Sequence, residues 1–265
     1  MFISMKIIDK LKKAFEKQPV STTKIVRLDS VESTNGYLRT YKPEENEPMT
    51  VVMADYQTAG RGQGTNKWES EAGKNLLFSV LLHPYEIPIA TQFLLSMYGA
   101  LCLRDVLTKY VGEDITLKWP NDIYWKNKKL SGTLIETKLS GGRIKDCIFG
   151  VGLNVNQTVF KSDAPNPVSL CQILGKEIDR ETLLQKIVQA FERNYEWIRS
   201  ANYGAISSMY HDALYRGKGF YWYEDKDGAF EGAIVEVEDN GHLILSDREG
   251  RIRTYEFKEI KYGKI

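Results

Sequence analysis

Hydrophobic residues recur through the first two thirds of the chain in short runs of the kind that form β-strands. The runs are rich in β-branched and aromatic residues, and they extend over Lys24 to Leu28, Thr50 to Asp55, Asn75 to Leu82, Ile115 to Trp119, Leu130 to Lys138 and Ile144 to Leu153. Helical patterns lie between them at irregular intervals. This arrangement favours a mixed or antiparallel sheet with packed helices over a doubly wound parallel sheet, and it predicts an α+β fold.

Three segments carry apolar residues at the spacing of an amphipathic helix. Residues 5–17 predict a short N-terminal helix, which covers part of the core or binds a partner and is too little for a winged-helix DNA-binding domain. A second helix packs on the sheet and is marked by Phe93, Leu94, Met97, Tyr98 and Leu101. The third is predicted from Arg180 to Arg199 after the N-cap Asp179, with a buried face of Leu184, Ile187, Val188, Phe191, Tyr195 and Ile198.

The pattern changes after Gly217-Lys218-Gly219 to short strands separated by turn signals. The signals are Asp227-Gly228, Asn240-Gly241 and Glu249-Gly250, in which glycine takes positive φ without strain. We expect a small SH3-like β-barrel over residues 215–265, after a larger domain of residues 1–214. The segment from Phe160 to Val168, with Pro165 and Pro167, is predicted to be a surface loop rather than a domain break.

Composition narrows the class of protein. With 265 residues and 42% hydrophobic content, the chain can bury one full core and a small accessory unit. The 36 basic residues nearly balance the 35 acidic ones, so net charge gives no reason to expect nucleic acid or a membrane as partner. No apolar stretch is long and uninterrupted enough to span a bilayer, and no signal peptide is evident. Three widely spaced cysteines without a Cys-x-x-Cys pair favour a reducing compartment, and we expect a cytoplasmic protein.

A glycine-rich loop, Gly60-Arg61-Gly62-Gln63-Gly64, follows a predicted strand. Its glycines let the backbone approach a ligand and expose N–H donors, and Arg61 could pair bidentately with a phosphate or a carboxylate. Glycine-rich turns after strands are also common without any ligand.

Lys129 stands at the start of a predicted strand, in Lys128-Lys129-Leu130-Ser131-Gly132. A lone lysine at such a hairpin is usually only solvated. Gly132, however, leaves room for a ligand against the strand. The nearby Asn121-Asp122 pair can hydrogen-bond a base or sugar, or hold magnesium through oxygen ligands.

Other candidates also have two interpretations. Trp119 is predicted to be a core residue, whereas Trp68, in a polar setting, could stack against a purine. Ser33, Thr34 and Asn35 could cap a helix beginning near Gly36, and capping does not exclude ligand binding. Asn154 either ends a tight strand or presents polar groups to an adenine edge.

Five fragments together resemble the biotin protein ligase family: Glu32-Ser33-Thr34-Asn35, Tyr56 to Gly64, Lys118-Trp119-Pro120-Asn121-Asp122, Lys129-Leu130-Ser131-Gly132 and Gly152-Leu153-Asn154. The resemblance implies a catalytic core like that of class II aminoacyl-tRNA synthetases. It also implies a two-step reaction with ATP, biotin and Mg²⁺. Biotin is activated as biotinyl-5′-AMP and then transferred to a lysine of a biotin carboxyl carrier domain.

The resemblance also implies roles for individual residues. Those implied for biotin binding are Ser33, Thr34, Asn35, Gln57, Gly60, Arg61, Gly62, Gln63, Lys129 and Gly132. Those implied for ATP binding are Arg61, Trp68, Lys118, Asn121, Lys129 and Asn154. Arg61, Lys129 and Asp122 are the implied catalytic residues, and Asp122 is also the candidate magnesium ligand.

Two features depart from the family pattern. Gly64-Thr65 stands where the family loop often has x-Gly, and Gln63 replaces an arginine of some members. The sequence also lacks the N-terminal winged helix of the repressor-type members, so we expect a monofunctional ligase that binds no nucleic acid. A lipoate or octanoate ligase and a non-catalytic module that binds biotin or a nucleotide are the alternatives. Edge strands leave a homodimer open.

Overall fold

A computed structural model describes residues 23–44, 47–161 and 166–263 of the chain. The helix predicted over residues 5–17 lies outside the described residues, as does Pro165. Within them, a seven-stranded sheet forms the centre of the larger part. Its strands are β1 Lys24–Val31, β2 Met49–Gln57, β3 Leu76–Leu82, β4 Ile115–Lys118, β5 Asp122–Trp125, β6 Lys128–Ser140 and β7 Arg143–Leu153.

The spatial order of this sheet is β1-β2-β3-β7-β6-β5-β4. Strands β1 and β2 are parallel, and the other neighbours are antiparallel. The mixed sheet predicted from the sequence is therefore confirmed. Strand β5 was not predicted, because its four residues fall between stronger signals.

Six α-helices and one 3₁₀ turn, Ile89–Thr91, are present in the described part of the chain. The helices are α1 Thr34–Thr40, α2 Phe93–Val111, α3 Leu170–Leu174, α4 Arg180–Asn194, α5 Glu196–Arg199 and α6 Tyr203–Asp212. Asp179 caps α4 as predicted, accepting a hydrogen bond from the Thr182 N–H at 2.8 Å. The single helix predicted over residues 180–199 is divided at Tyr195 into α4 and α5. No described helix is long and apolar enough to cross a bilayer.

The two faces of the large sheet are covered differently. On one face, alternate strand residues such as Val51, Phe78 and Phe149 join a continuous core with α2, α4 and α6. On the other face, a small cluster of Leu38 of α1 with Val52, Leu81 and Ile148 is buried. Because strand side chains alternate between faces, these residues point away from the main core. Within the described residues, α1 is the helix that packs on this second face, which leaves room for a cavity.

The C-terminal part is a second sheet with five antiparallel strands. They are β8 Tyr221–Asp225, β9 Gly228–Val237, β10 Leu243–Asp247, β11 Ile252–Tyr255 and β12 Lys261–Tyr262, in the order β11-β10-β9-β8-β12. The predicted turn pairs Asn240-Gly241 and Glu249-Gly250 lie between consecutive strands of this sheet, and Asp227-Gly228 joins the β8–β9 turn to the first residue of β9. The arrangement is consistent with the SH3-like barrel predicted from the sequence, whereas the domain boundary at residues 214 and 215 stays a prediction.

Trp119 makes one of the contacts that join the barrel to the larger part, together with hydrogen bonds of Phe93 to Asp239 and of Val237 to His211. The indole N–H of Trp119 donates to the Gly241 carbonyl at 3.0 Å, and its ring packs edge-on against Phe257 with centroids 5.4 Å apart. Trp119 is 3% exposed. It was predicted to be a core residue, and the structure confirms this.

Close packing in the main core gives the first prediction. Gly99 of α2 lies against Phe149 of β7, and an alanine Cβ there would sit 2.9 Å from Phe149 Cδ1. Overpacking of this kind typically costs about 1–3 kcal/mol. We therefore expect Gly99→Ala to lower the urea midpoint of unfolding. Gly204→Ala in α6 is the matched control, because a Cβ there meets no atom within 4 Å. Equal midpoints for both variants would contradict the packing argument.

Candidate active site

A cavity of about 450 Å³ opens on the face of the large sheet that carries α1. The structure brings together here nearly all residues that the sequence singled out. Those lining the cavity are Ser33, Thr34, Asn35, Gln57, Arg61, Gly62, Gln63, Trp68, Lys118, Asn121, Asp122, Lys129 and Gly132.

Glycines form the floor of the cavity. Gly132 of β6 and Gly152 of β7 are register partners, and Asp122 of β5 is the partner of Gly132. Gly150 lies two residues before Gly152 and therefore on the same face. A Cβ at Gly152 would overlap the indole of Trp68, and one at Gly150 would overlap the amide of Asn35. The bare backbone of β6 and β7 is thus what lets Trp68 and Asn35 settle onto the sheet.

One end of the cavity is a hydrogen-bonded polar network at the start of α1. Gln57 Oε1 accepts from the backbone N–H of Thr34 at 2.8 Å and lies 3.1 Å from the Thr34 hydroxyl. Ser79, which is fully buried, has its hydroxyl 2.7 Å from Thr34 Oγ1 and 2.6 Å from Asn35 Oδ1. Ser33 caps α1 through the Gly36 N–H at 3.4 Å. These contacts fix several neutral donors and acceptors toward the cavity.

Glu136 connects this network to the glycine-rich loop. Its carboxylate accepts from the Asn35 amide at 3.0 Å and from Arg39 at 2.7 Å. The guanidinium of Arg61 lies 3.8 Å from the same carboxylate and is 43% exposed. Arg61 is therefore held loosely at the edge of the cavity, where it is free to turn toward an anionic ligand.

The glycine-rich loop is folded as a tight turn. The Gly62 N–H donates to the Asn66 carbonyl at 2.7 Å, and the Trp68 N–H donates to the Gly60 carbonyl at 3.1 Å. Gly64 has φ +65°, a conformation that favours glycine. This turn brings Trp68 back over the floor of the cavity.

Lys129 and Asp122 form an ion pair on the opposite wall. Lys129 Nζ lies 2.6 Å from Asp122 Oδ1, and both side chains are largely buried, at 22% and 17% exposed. Lys129 Nζ also stands 5.9 Å from the centroid of the Trp68 ring. Asn121 is turned toward β6, because its amide donates to the Thr133 carbonyl at 2.8 Å.

Lys118 is a second, half-buried cation at this wall. Its ammonium donates to the Tyr124 hydroxyl at 3.0 Å and lies between two aromatic rings, 4.6 Å from the centroid of Tyr124 and 4.7 Å from that of Tyr262. Burial lowers the pKa of Lys118 from its ordinary value, while the charge of Asp122 opposes this shift. The wall therefore combines two lysines with one carboxylate.

Comparisons with known proteins identify the family. The chain is 30% identical over 245 residues to the bifunctional ligase/repressor BirA of Bacillus spizizenii, and the match covers 90% of this chain and 74% of that protein. The chain belongs to the biotin protein ligase family. The sequence profile of the Biotin/lipoate A/B protein ligase family matches residues 28–154. The family resemblance predicted from the sequence is confirmed.

Two further relatives extend the comparison. The biotin--[acetyl-CoA-carboxylase] ligase of Mycobacterium tuberculosis is 30% identical over 156 residues, which are 57% of this chain and 56% of that protein. The structure of the biotin protein ligase from Aquifex aeolicus in complex with biotin and ATP is similar with a TM-score of 0.74 at 27% identity. That similarity covers 91% of this chain and 99% of the Aquifex chain.

Two residues for which the sequence predicts a binding role do not line the cavity. Asn154 is 3% exposed, and its amide donates to the Val168 carbonyl at 3.2 Å. Gly60 faces an adjoining pocket behind the loop, where a Cβ would come within 2.8 Å of the Trp68 carbonyl oxygen. The roles of Asn154 in ATP binding and of Gly60 in biotin binding stay predictions.

Other residues of the site were missed from the sequence. Ser79 and Glu136 join the network from the interiors of β3 and β6. Lys258, Ile260, Lys261 and Tyr262 reach the cavity from the barrel. Ser79, a lone polar residue in an otherwise apolar strand, was the one local signal available. The barrel residues carried none, because their approach depends on how the barrel docks.

The glycine floor leads to a prediction for this ligase. Gly152→Ala should displace the indole of Trp68 and reduce biotin ligase activity by tenfold or more, on the order of the roughly 1–3 kcal/mol cost of overpacking. Activity and the melting temperature should be measured together. Gly204→Ala is again the control and should keep full activity. A folded Gly152→Ala protein with normal activity would show that the position of Trp68 is unimportant.

Proposed function

We propose that this protein is an ATP-dependent ligase that activates biotin as biotinyl-5′-AMP and transfers it to a lysine of a biotin carboxyl carrier domain. The observation that carries the proposal is the distribution of neutral polar groups and cations within the cavity. Neutral donors and acceptors around Thr34 and Gln57 occupy one end, with Arg61 next to them beside Glu136. Lys118 and Lys129 lie on the opposite wall, where Lys129 is close to Trp68. Membership of the biotin protein ligase family supports this assignment.

The first step joins two anions. A carboxylate oxygen of biotin attacks the α-phosphorus of ATP, a bond forms between oxygen and phosphorus, and pyrophosphate leaves with the electron pair of the broken bond. Arg61 and Lys129 offset the repulsion between the two reactants and the charge that develops at phosphorus. The ureido ring of biotin would be held by the neutral end, where fixed dipoles suit an uncharged polar ring.

The second step acylates a lysine of the acceptor. Its neutral amine attacks the acyl carbon, the bond to the adenylate oxygen breaks, and AMP leaves. Asp122 is the carboxylate placed to take the proton released by the amine, because it lies in the cavity wall next to Lys129.

The residues present suit a magnesium ion held mainly by its substrate. Among residues 23–44, 47–161 and 166–263, no three His, Cys, Asp or Glu side chains are grouped as a metal site. Magnesium often binds through one or two carboxylates together with substrate phosphates. Asp122 would be the protein ligand, and the ion would neutralise charge on the phosphates of bound ATP.

We also propose that the protein is cytoplasmic and forms a homodimer. We place the reaction in the cytoplasm, since the three cysteines are free and buried. A homodimer is proposed through the exposed edge strand β1 of the large sheet.

Biotin-dependent exchange of labelled pyrophosphate into ATP tests the function directly. Lipoate and octanoate should be tested in parallel, since the family profile includes lipoate ligases. Exchange with biotin alone would support adenylation of biotin. Exchange with lipoate would favour the alternative ligase, and binding without exchange of any acid would favour a non-catalytic module.

Substitution of the cavity cations should separate their roles from those of surface lysines. Removing one preorganised donor typically costs about 3 kcal/mol, or about a hundredfold in rate. We expect losses of this size in the exchange rate for Lys129→Ala and Arg61→Ala. Lys128→Ala, an exposed neighbour, should remain within about twofold of the wild type, given the small effects typical of surface charges. Equal losses in all three variants would contradict the assignment.

The pH profile should report on Lys118. Because burial lowers its pKa, the ammonium loses its proton at a lower pH than an ordinary lysine does. We expect kcat/KM for ATP to fall as pH rises through that lowered pKa, since charge at the phosphate end is lost. Lys118→Arg keeps its charge and should abolish this alkaline limb. An unchanged limb in the variant would assign the titration to another group.

A further inference from the structure

A turn of the barrel, residues 256–259, is fixed against the larger part of the molecule. Phe257 packs against Phe93 of α2 and Trp119, with ring centroids 6.0 Å and 5.4 Å apart. Within the turn, the Glu256 N–H donates to the Glu259 carboxylate at 2.7 Å. Because Trp119 directly follows Lys118, this anchor places the turn beside the cavity.

The residue after the anchor has an unusual backbone conformation. Lys258 has φ +74°, in the left-handed region that costs an L-residue about 1–2 kcal/mol and that glycine adopts freely. The turn itself would therefore favour glycine at this position. Compared with glycine, a lysine here contributes a long side chain that ends in an ammonium group.

That side chain extends from the barrel into the cavity. Lys258 is among the lining residues, and its ammonium lies against Gly64 of the glycine-rich loop, where a Cβ would overlap it. Gln63, the residue before Gly64 in the loop, lines the same cavity. Lys258 therefore lines the same cavity as Arg61 and Lys129, from the barrel side.

The cations that line the cavity differ in whether another side chain contacts them. Lys129 pairs with Asp122, Arg61 lies near Glu136, and Lys118 bonds to the Tyr124 hydroxyl. Within the described residues, Lys258 has no ion pair or side-chain hydrogen bond. The same is true of Lys67, which also lines the cavity. A cation held without a partner at a cavity is available to an anion that enters.

We propose that Lys258 binds the terminal phosphates of the nucleoside triphosphate from the barrel side of the cavity. The inference rests on the proposed function. It assigns the barrel to the first step, in which a triphosphate is present, and not to acyl transfer from the adenylate, which has lost those phosphates. Binding across the loop would also hold Gly64 and the barrel together around the substrate.

The test compares the two half-reactions in Lys258→Gly, which removes the charge and relieves the backbone conformation. Loss of a charged hydrogen bond predicts a KM for ATP in pyrophosphate exchange raised about tenfold or more. The KM for biotin should be unchanged. Acyl transfer from preformed biotinyl-5′-AMP to an acceptor domain should also proceed at the wild-type rate.

Two further variants separate charge from structure. Lys226→Ala removes a lysine of the β8–β9 turn outside the cavity and should leave both half-reactions unchanged. Gln63→Arg in the Lys258→Gly background returns a cation to the same region and should restore part of the affinity for ATP. Calorimetric titration of the intact proteins with ATP checks binding independently of turnover.

The outcomes distinguish this inference from the proposed function. Normal exchange by the wild type with an unchanged KM for ATP in Lys258→Gly would overturn the role of Lys258 and leave the function standing. Equal losses in exchange and in acyl transfer would also overturn it, since they indicate a structural role. Absence of exchange in the wild type would instead overturn the function, and unaltered ATP binding by Lys258→Gly would then reject the site as well.

Discussion

The approach of side chains to bare backbone is the constraint on which the site depends. Gly132 and Gly152 face each other across β6 and β7, and Gly150 extends the same face by one step. Trp68 and Asn35 occupy the space that side chains on these strands would fill. One side of the cavity is therefore formed by the glycine-rich loop and helix α1, which pack directly on the backbone of the sheet. The polar network and the glycine-rich turn have their positions because this surface accepts them.

One face of the large sheet forms the hydrophobic core, and the other face carries the cavity. The face under α2, α4 and α6 is continuous apolar packing, with Tyr98, Phe149 and Phe191 in mutual edge-on contact. The other face buries less and leaves polar groups within reach of a ligand. A rigid core on one side can hold cavity residues of the other side in place, because both belong to the same strands. Lys129 and Asp122, on adjacent strands, keep their separation through the register of the sheet.

Much of this arrangement could be predicted from the sequence, but not all of it. Strand runs and the α2 and α4 helices follow from local periodicity, which needs no knowledge of partners. Lys129, Asp122 and Trp68 were recognised because their motifs carry information in a few consecutive residues. Ser79 and Glu136 could not be predicted as partners of α1, since their contacts join segments 44 to 101 residues apart. Asn154 shows the converse, because a residue at the end of a motif proved to hold a neighbouring loop.

Trp119 has a consequence for how the molecule would lose function on heating. The same indole anchors the barrel through Gly241 and Phe257 and adjoins Lys118 in the chain. Opening of the whole barrel interface, which also includes the hydrogen bonds of Phe93 to Asp239 and of Val237 to His211, would withdraw Tyr262 and Lys258 from the cavity while the helical core stayed intact. Local unfolding of the barrel would therefore leave the circular dichroism signal of the helices unchanged. It would reduce the stabilisation that a bound ligand gives to the protein. The protein would lose activity at a lower temperature than the one at which the whole molecule unfolds.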